Sequence, residues 1–184
     1  NRLLISDNSE NYFGYQYDTG CIGRSTKSLF INDATGLGKT RSALSVLDNN
    51  YRSGTNLIVC PKMAVNVWVN ELKAVFSGFD YIVIEGNRKE RESRLQHIQD
   101  VDFVIINYDL LQHHVSYPHW PGSSKSSEIK ELDNISWHSV ILDESHRIKN
   151  PKALRTRCCW TLSKTATYRM ALTATPMTLD PQDL

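Results

Sequence analysis

The stretch from Ser28 to Thr40 reads SLFINDATGLGKT, and its interpretation decides the fold. The first part, SLFI, is a short apolar run of the kind that forms a buried strand. The last part, DATGLGKT, places glycines at 36 and 38 and ends in Lys39-Thr40. A helical spacing follows at once, carried by Ala43, Leu44, Leu47 and Tyr51. Strand, glycine turn and helix in that order predict a phosphate loop. The glycines let backbone N–H groups turn inward on a polyphosphate, and the new helix points its positive end at the same anion. Nucleotide-binding candidates are therefore Thr35, Gly36, Leu37, Gly38, Lys39 and Thr40. Lys39 would neutralise the β and γ phosphates, and the Thr40 hydroxyl would ligate Mg²⁺. Where the general pattern has its first Gly, this chain has Asp33.

Working outward, similar apolar runs recur at Asn56 to Cys60, Tyr81 to Ile84, Asp102 to Ile106, Ser139 to Leu142 and Tyr168 to Leu172. Each predicts a strand buried on both faces. Between them, Val65, Trp68, Val69, Leu72 and Phe76 repeat at helical spacing, and Trp68 is expected in the core of that helix. Arg88 to Ile98 is a charged helix for the outside, and Pro151 to Lys164 is a helix with Asn150 as its cap. Strand alternating with helix implies an α/β lobe: a mainly parallel sheet, right-handed crossovers and helices on both faces. Ligands bind such sheets at the carboxyl ends of the strands. Two stretches resist assignment. Asn1 to Thr26 has no clear period, and Gln112 to Trp137, rich in Pro, Gly and Ser, is expected to be a long surface excursion. The expected organisation is an N-terminal segment, 1–26, followed by one lobe, 27–184.

Residues Val140 to Asn150 read VILDESHRIKN, an apolar strand that delivers Asp143 and Glu144 at its carboxyl end. Adjacent acids at a strand end point different ways, so one can hold the hydration shell of Mg²⁺ while the other orients a water. Downstream of a phosphate loop, such a pair completes a site for nucleoside triphosphate hydrolysis.

Composition limits what else the chain can be. With 40% hydrophobic and 22% charged residues over 184 positions, one folded domain, or at most one and a fragment, is expected rather than a disordered segment. A net charge of +1 argues against tail-like binding of nucleic acid. Yet Ser145 to Arg169 holds Arg147, Lys149, Lys152, Arg155, Arg157, Lys164 and Arg169 and no acid, a local basic surface. No apolar run reaches the roughly 18 residues of a membrane helix. Cys21, Cys60, Cys158 and Cys159 form no Cys-x-x-Cys pair, so a reduced setting, cytoplasmic or nuclear and not secreted, is expected. His113, His114 and His119 have no cysteine or acid cluster beside them to complete a metal site. The N-terminus lacks Met and a signal pattern, as expected for a piece of a longer protein.

Taken together, these motifs resemble helicase superfamily 2, and in particular its Swi/Snf-type DNA translocase branch. DATGLGKT is similar to that branch's motif I, in which Asp replaces the first Gly. LIVCPKMAVNVWVNEL, from Leu57 to Leu72, is similar to motif Ia with its following Trp and Glu. IINYDLL resembles the motif Ib region. DESHRIKNP resembles motif II, with Ser145 where Ala is usual, and ALTATPMTLDPQDL resembles motif III with TAT in place of TGT. Tyr15-Gln16 lies near the spacing of the branch's adenine-reading glutamine.

The resemblance implies the first of two RecA-like lobes of an ATPase that walks on double-stranded DNA. It makes ATP the nucleotide, with Mg²⁺ held by Thr40 and Asp143. Lys39, Asp143 and Glu144 become the catalytic set, with Glu144 as general base or water-positioner. Gln16 would read adenine. His146, Thr173 and Thr175 would couple nucleotide state to the lobe interface, although the threonines could equally cap a strand. Pro61, Lys62, Asn107 and Tyr108 would lie against a phosphate backbone, although a Cys-Pro pair also ends strands. The second lobe, with its arginine finger, is the implied partner, so this chain alone is expected to hydrolyse ATP very poorly. Two rivals stand beside this reading: a strand-separating DEAH-type helicase on DNA or RNA, against which RIKN after DESH argues, and a nucleotide-gated binding module without turnover.

Overall fold

The computed structural model describes residues 11–116 and 130–175. Six strands form one all-parallel sheet: β1 (Ser28–Ile31), β2 (Asn56–Cys60), β3 (Tyr81–Ile84), β4 (Phe103–Asn107), β5 (Ser139–Leu142) and β6 (Tyr168–Leu172). Their order across the sheet is β1-β6-β5-β2-β4-β3. The helices are α1 (Gly14–Thr26), α2 (Lys39–Leu47), α3 (Val65–Val75), α4 (Arg88–Leu95), α5 (Tyr108–His114) and α6 (Leu154–Ser163).

Alternation along the central strands builds two cores. Leu57 and Val59 of β2, Val104 and Ile106 of β4, and Val140 and Leu142 of β5 pack with Leu111, Cys158, Cys159 and Leu162 from α5 and α6. Ile58, Cys60, Phe103, Ile105 and Ile141 face the other way, against Ala43, Leu44 and Leu47 of α2 and Trp68, Leu72 and Val75 of α3. Every residue of β2, β4 and β5 is buried, as strands covered on both faces require. The expectation of double-sided burial fails at β1, where Ser28 and Phe30 are exposed, and is weaker at β3 and β6. β1 and β3 are the sheet's edges. The fourth strand lies one residue beyond its expected position because Asp102 joins the preceding turn, its carboxylate accepting from the Asp80 N–H at 3.0 Å.

The N-terminal stretch that shows no period contains α1, which packs chiefly on α2. Its buried residues are Gln16, Gly20 and Gly23 rather than large apolar ones. A Cβ at Gly20 would come within 2.6 Å of Ser45 Oγ, and one at Gly23 within 2.6 Å of Val46 Cγ2. The helix is held by close approach, and Ser45 Oγ donates to the Gln16 carbonyl at 2.7 Å.

Two other expectations shift. The excursion expected at 112–137 shrinks at both ends among the described residues, because Gln112 to His114 finish α5 and Leu132, Ile135 and Trp137 are buried in the core. Residues 117–129, with Tyr117, Trp120 and the serine run, lie outside the described residues. α6 begins at Leu154 rather than Pro151, since Asn150 Oδ1 accepts from the Lys152 N–H at 2.9 Å and closes a turn there instead of capping a helix. The charged helix α4 does start where expected, with a capping box between Asn87 and Glu90.

Candidate active site

β1 ends at Ile31 and releases the chain into the loop 32–38, whose close is set by two glycines in the left-handed region, Gly36 (φ 87°) and Gly38 (φ 75°). Gly38 is the N-cap of α2 and no side chain caps the helix, so its first N–H groups are left for another acceptor. Gly38, Lys39, Thr40 and Arg41 line a cavity of about 570 Å³. A Cβ at Gly36 would meet nothing within 4 Å, so its backbone conformation alone asks for glycine. Lys39 folds back over its own loop, Nζ donating to the carbonyls of Asp33 (2.9 Å) and Ala34 (3.3 Å).

Asp143 and Glu144 line the same cavity. Asp143 follows β5 and is held at every polar position. Its N–H donates to the Val59 carbonyl (2.9 Å), and its own carbonyl accepts from the Tyr108 hydroxyl (2.7 Å). Oδ1 accepts from the Glu144 N–H (2.9 Å), and Oδ2 accepts from the Trp68 indole N–H (2.9 Å). Burial pushes the Asp143 carboxyl above its usual value, as does the neighbouring Glu144 charge; the Trp68 hydrogen bond and the Lys39 charge pull the other way. Glu144 has φ 50° and ψ 52°, the left-handed conformation that costs a residue with a Cβ about 1–2 kcal/mol. Strain of this kind collects at functional sites.

His146 Nδ1 lies 3.2 Å from both Glu144 Oε2 and Thr173 Oγ1. Thr173 is buried, and its N–H donates to the carbonyl of Ile31 at the end of β1 (3.0 Å). The structure thus brings two of the three coupling candidates to the paired acids. Thr175 contributes a backbone N–H to Thr173 Oγ1 (3.1 Å), and Pro176 to Leu184 lie outside the described residues.

The remaining candidates divide. Gln16 lines the cavity, but its amide is committed: Oε1 accepts from the Phe13 N–H (3.1 Å), and Nε2 donates to the carbonyls of Gly38 (3.4 Å) and Leu37 (3.5 Å). Thr35 is exposed and is not among the lining residues. Lys62 is exposed in the turn Lys62–Ala64 after Pro61, with Met63 beside it almost fully exposed. The side chains of Asn107 and Tyr108 have partners within the fold. Asn107 Oδ1 caps α5 by accepting from the N–H groups of Asp109 and Leu110, and Tyr108 is buried with its hydroxyl on Asp143. In the basic segment, Arg147, Lys149, Lys152, Arg155, Lys164 and Arg169 are exposed.

Sequence reasoning passed over three features. Trp68 is core as expected, but its N–H reaches Asp143; a buried indole needs a hydrogen-bond partner, and that was the available signal. Phe13 and Tyr15 stack at 6.0 Å on the cavity rim, and Tyr15 donates to the Leu37 carbonyl at 2.5 Å. Arg41 pairs with Glu71 at 2.8 Å along the wall, a contact between residues 30 apart that no local pattern announces.

For a divalent cation the cavity offers hard oxygen donors, among them the Thr40 hydroxyl and the carboxylates of Asp143 and Glu144. Among the described residues no group of three or more His, Cys, Asp or Glu converges. One carboxylate with a hydroxyl suits Mg²⁺, which completes its octahedron with waters and phosphate oxygens.

The family model described as SNF2-related domain matches residues 12–184. An ISWI chromatin-remodeling complex ATPase of Arabidopsis thaliana, CHR17, is 31% identical over 168 residues, covering 88% of this chain and 14% of that protein. The ISWI chromatin-remodeling complex ATPase ISW1 of Saccharomyces cerevisiae is 27% identical over 152 residues, 79% of this chain and 12% of that protein. Among solved structures, the SWI2/SNF2 ATPase core of Sulfolobus solfataricus in complex with dsDNA shares the fold with a TM-score of 0.72 at 22% identity, over 93% of this chain and 33% of that one. The chain thus spans about a seventh or less of the length of these curated relatives.

Proposed function

The chain belongs to the SNF2-related domain family, and on that footing we propose that it is the first ATP-binding lobe of a DNA-dependent ATPase that translocates on double-stranded DNA. The observation that carries this is the meeting in one cavity of the loop 36–40 with Asp143 and the strained Glu144. The substrate is ATP. Its phosphates take the N–H groups at the uncapped start of α2, and Lys39 leaves the Asp33 and Ala34 carbonyls to meet the β and γ oxygens. Thr40 and Asp143 would hold Mg²⁺, which when bound neutralises charge building on the phosphate oxygens. Glu144 orients the attacking water and accepts its proton, and His146 relays the state of that carboxylate to Thr173 and so to β1. The adenine lies against Phe13 and Tyr15, while Gln16 fixes the loop beneath it.

Double-stranded DNA as the polynucleotide rests on RIKN after DESH, on the exposed basic segment and on the family. Pro61 and Lys62 would touch its backbone. A second RecA-like lobe of the same polypeptide would supply the arginine finger. α1 belongs to this lobe, which would therefore begin near Phe13 rather than at residue 27. A cytoplasmic or nuclear setting rests on the likeness to the chromatin-remodeling ATPases; among the described residues the four cysteines are free and no helix is long and apolar enough to cross a membrane.

Calorimetric titration of ATP into the chain and into Lys39→Ala tests the site. Affinity should fall at least tenfold, since charge-assisted hydrogen bonds of this kind are worth about 1.5–3 kcal/mol. Unchanged affinity would refute the phosphate-loop assignment.

A further inference from the structure

Asp143 is gripped by side chains from two other connections of the sheet. The Trp68 indole N–H reaches Oδ2 from α3, and the Tyr108 hydroxyl reaches the carbonyl from the start of α5. α3 follows β2 and α5 follows β4, and β5, β2 and β4 are neighbours in the sheet. Trp68 is wholly buried, with Leu72 and Ala64 in the same cluster, so its indole is a rigid donor. It sits in the first turn of α3, a few residues after the turn Lys62–Ala64, in which Lys62 and Met63 are exposed.

We propose that Trp68 is a positioning residue for the metal-nucleotide site: its indole N–H fixes the rotation of the Asp143 carboxylate, so that the oxygen lone pairs left free face the cation beside Thr40. This rests on the reading of the cavity as a Mg²⁺·ATP site. A carboxylate has two oxygens and a soft torsion about its Cβ–Cγ bond. The Glu144 N–H holds Oδ1, and it belongs to a residue in a strained conformation. The second, independent hold is therefore the Trp68 N–H, which comes from a packed helix. Donors that orient a ligating carboxylate in this way change metal affinity or activity about 10–100-fold when removed. A purely structural tryptophan would matter only for stability.

The test is Trp68→Phe, which keeps an aromatic ring in the core and removes the N–H. ADP is titrated calorimetrically into the 184-residue chain in EDTA and at a series of Mg²⁺ concentrations. Affinity in EDTA should match the unaltered chain, while the Mg²⁺ concentration giving half the metal-dependent gain should rise about tenfold. An unchanged Mg²⁺ dependence, or an equal loss with and without Mg²⁺, overturns the proposal. Should Trp68→Phe fail to fold, the indole N–H resonances of the unaltered ¹⁵N-labelled chain decide it. One of them should shift when Mg²⁺·ADP is added and stay in place for ADP in EDTA; no such difference overturns the proposal. Absence of any ADP binding by the unaltered chain would instead remove the nucleotide site itself, and this inference with it.

Discussion

Glu144 should be a residue at which stability and chemistry can be separated. Its φ of 50° and ψ of 52° put a side chain where glycine is at home. Glu144→Gly should recover the strain, about 1–2 kcal/mol, and return part of it because glycine adds freedom to the unfolded chain, about 0.4–1 kcal/mol. Glu144→Ala is the control, because it keeps the strain and the loss of the carboxylate. That carboxylate meets His146 at 3.2 Å with both side chains partly exposed, so its removal costs at most about 1 kcal/mol. Both variants lose the pair, and their difference isolates the backbone. Glycine should exceed alanine by roughly 1 kcal/mol, which for a chain of this size is about 2–4 °C in Tm. Urea unfolding at equal m-value reads the difference directly. A glycine variant no more stable than the alanine variant would mean that Glu144 does not occupy the left-handed region in solution. Neither variant should support hydrolysis in the full-length protein, as expected where strain is kept for function.

Two other expectations concern the scaffold. Gly20→Ala, which at an ordinary helix position would stabilise by about 1 kcal/mol, should here destabilise by about 1–3 kcal/mol, because the new Cβ meets Ser45 at 2.6 Å. An unchanged urea midpoint would show that α1 does not lie this close to α2. Burial holds the imidazoles of His114 and His138 below the usual value, so below a pH of about 6.5 the unfolded chain takes up protons before the folded one does. Stability should therefore be full above that pH and decline as pH falls toward the folded values; His138→Phe should flatten the decline, and an identical slope would count against the assignment.

Much of the sheet was legible because its signals are local. Five of the six strands begin and end where their runs do, because short runs rich in Ile, Val, Leu and Phe mark a strand even where, as at β1, β3 and β6, one face is only partly covered. The glycine turn at 36–38 and the paired acids Asp143 and Glu144 were legible as local patterns, because each is a short motif pinned to a strand end. What escaped lies in contacts between distant residues. α1 hid because it packs through Gly20 and Gly23, so no apolar stripe marks it. No local pattern announces the cap that Asn107 makes on α5 or the bond from the Tyr108 hydroxyl across the sheet end to Asp143. Trp68 was assigned to the core correctly, yet its volume told nothing of where its single N–H would go.

The most direct test of the central claim is steady-state ATP hydrolysis by the full-length protein with duplex DNA, with RNA and without polynucleotide, beside the 184-residue chain and with Glu144→Gln as the blank. Duplex DNA should stimulate the full-length protein more than RNA does. The chain alone should remain slower by about 10³–10⁵, the worth of an arginine finger supplied from another lobe. Turnover by the chain near the full-length rate, or stimulation by RNA in preference to duplex DNA, would contradict the account.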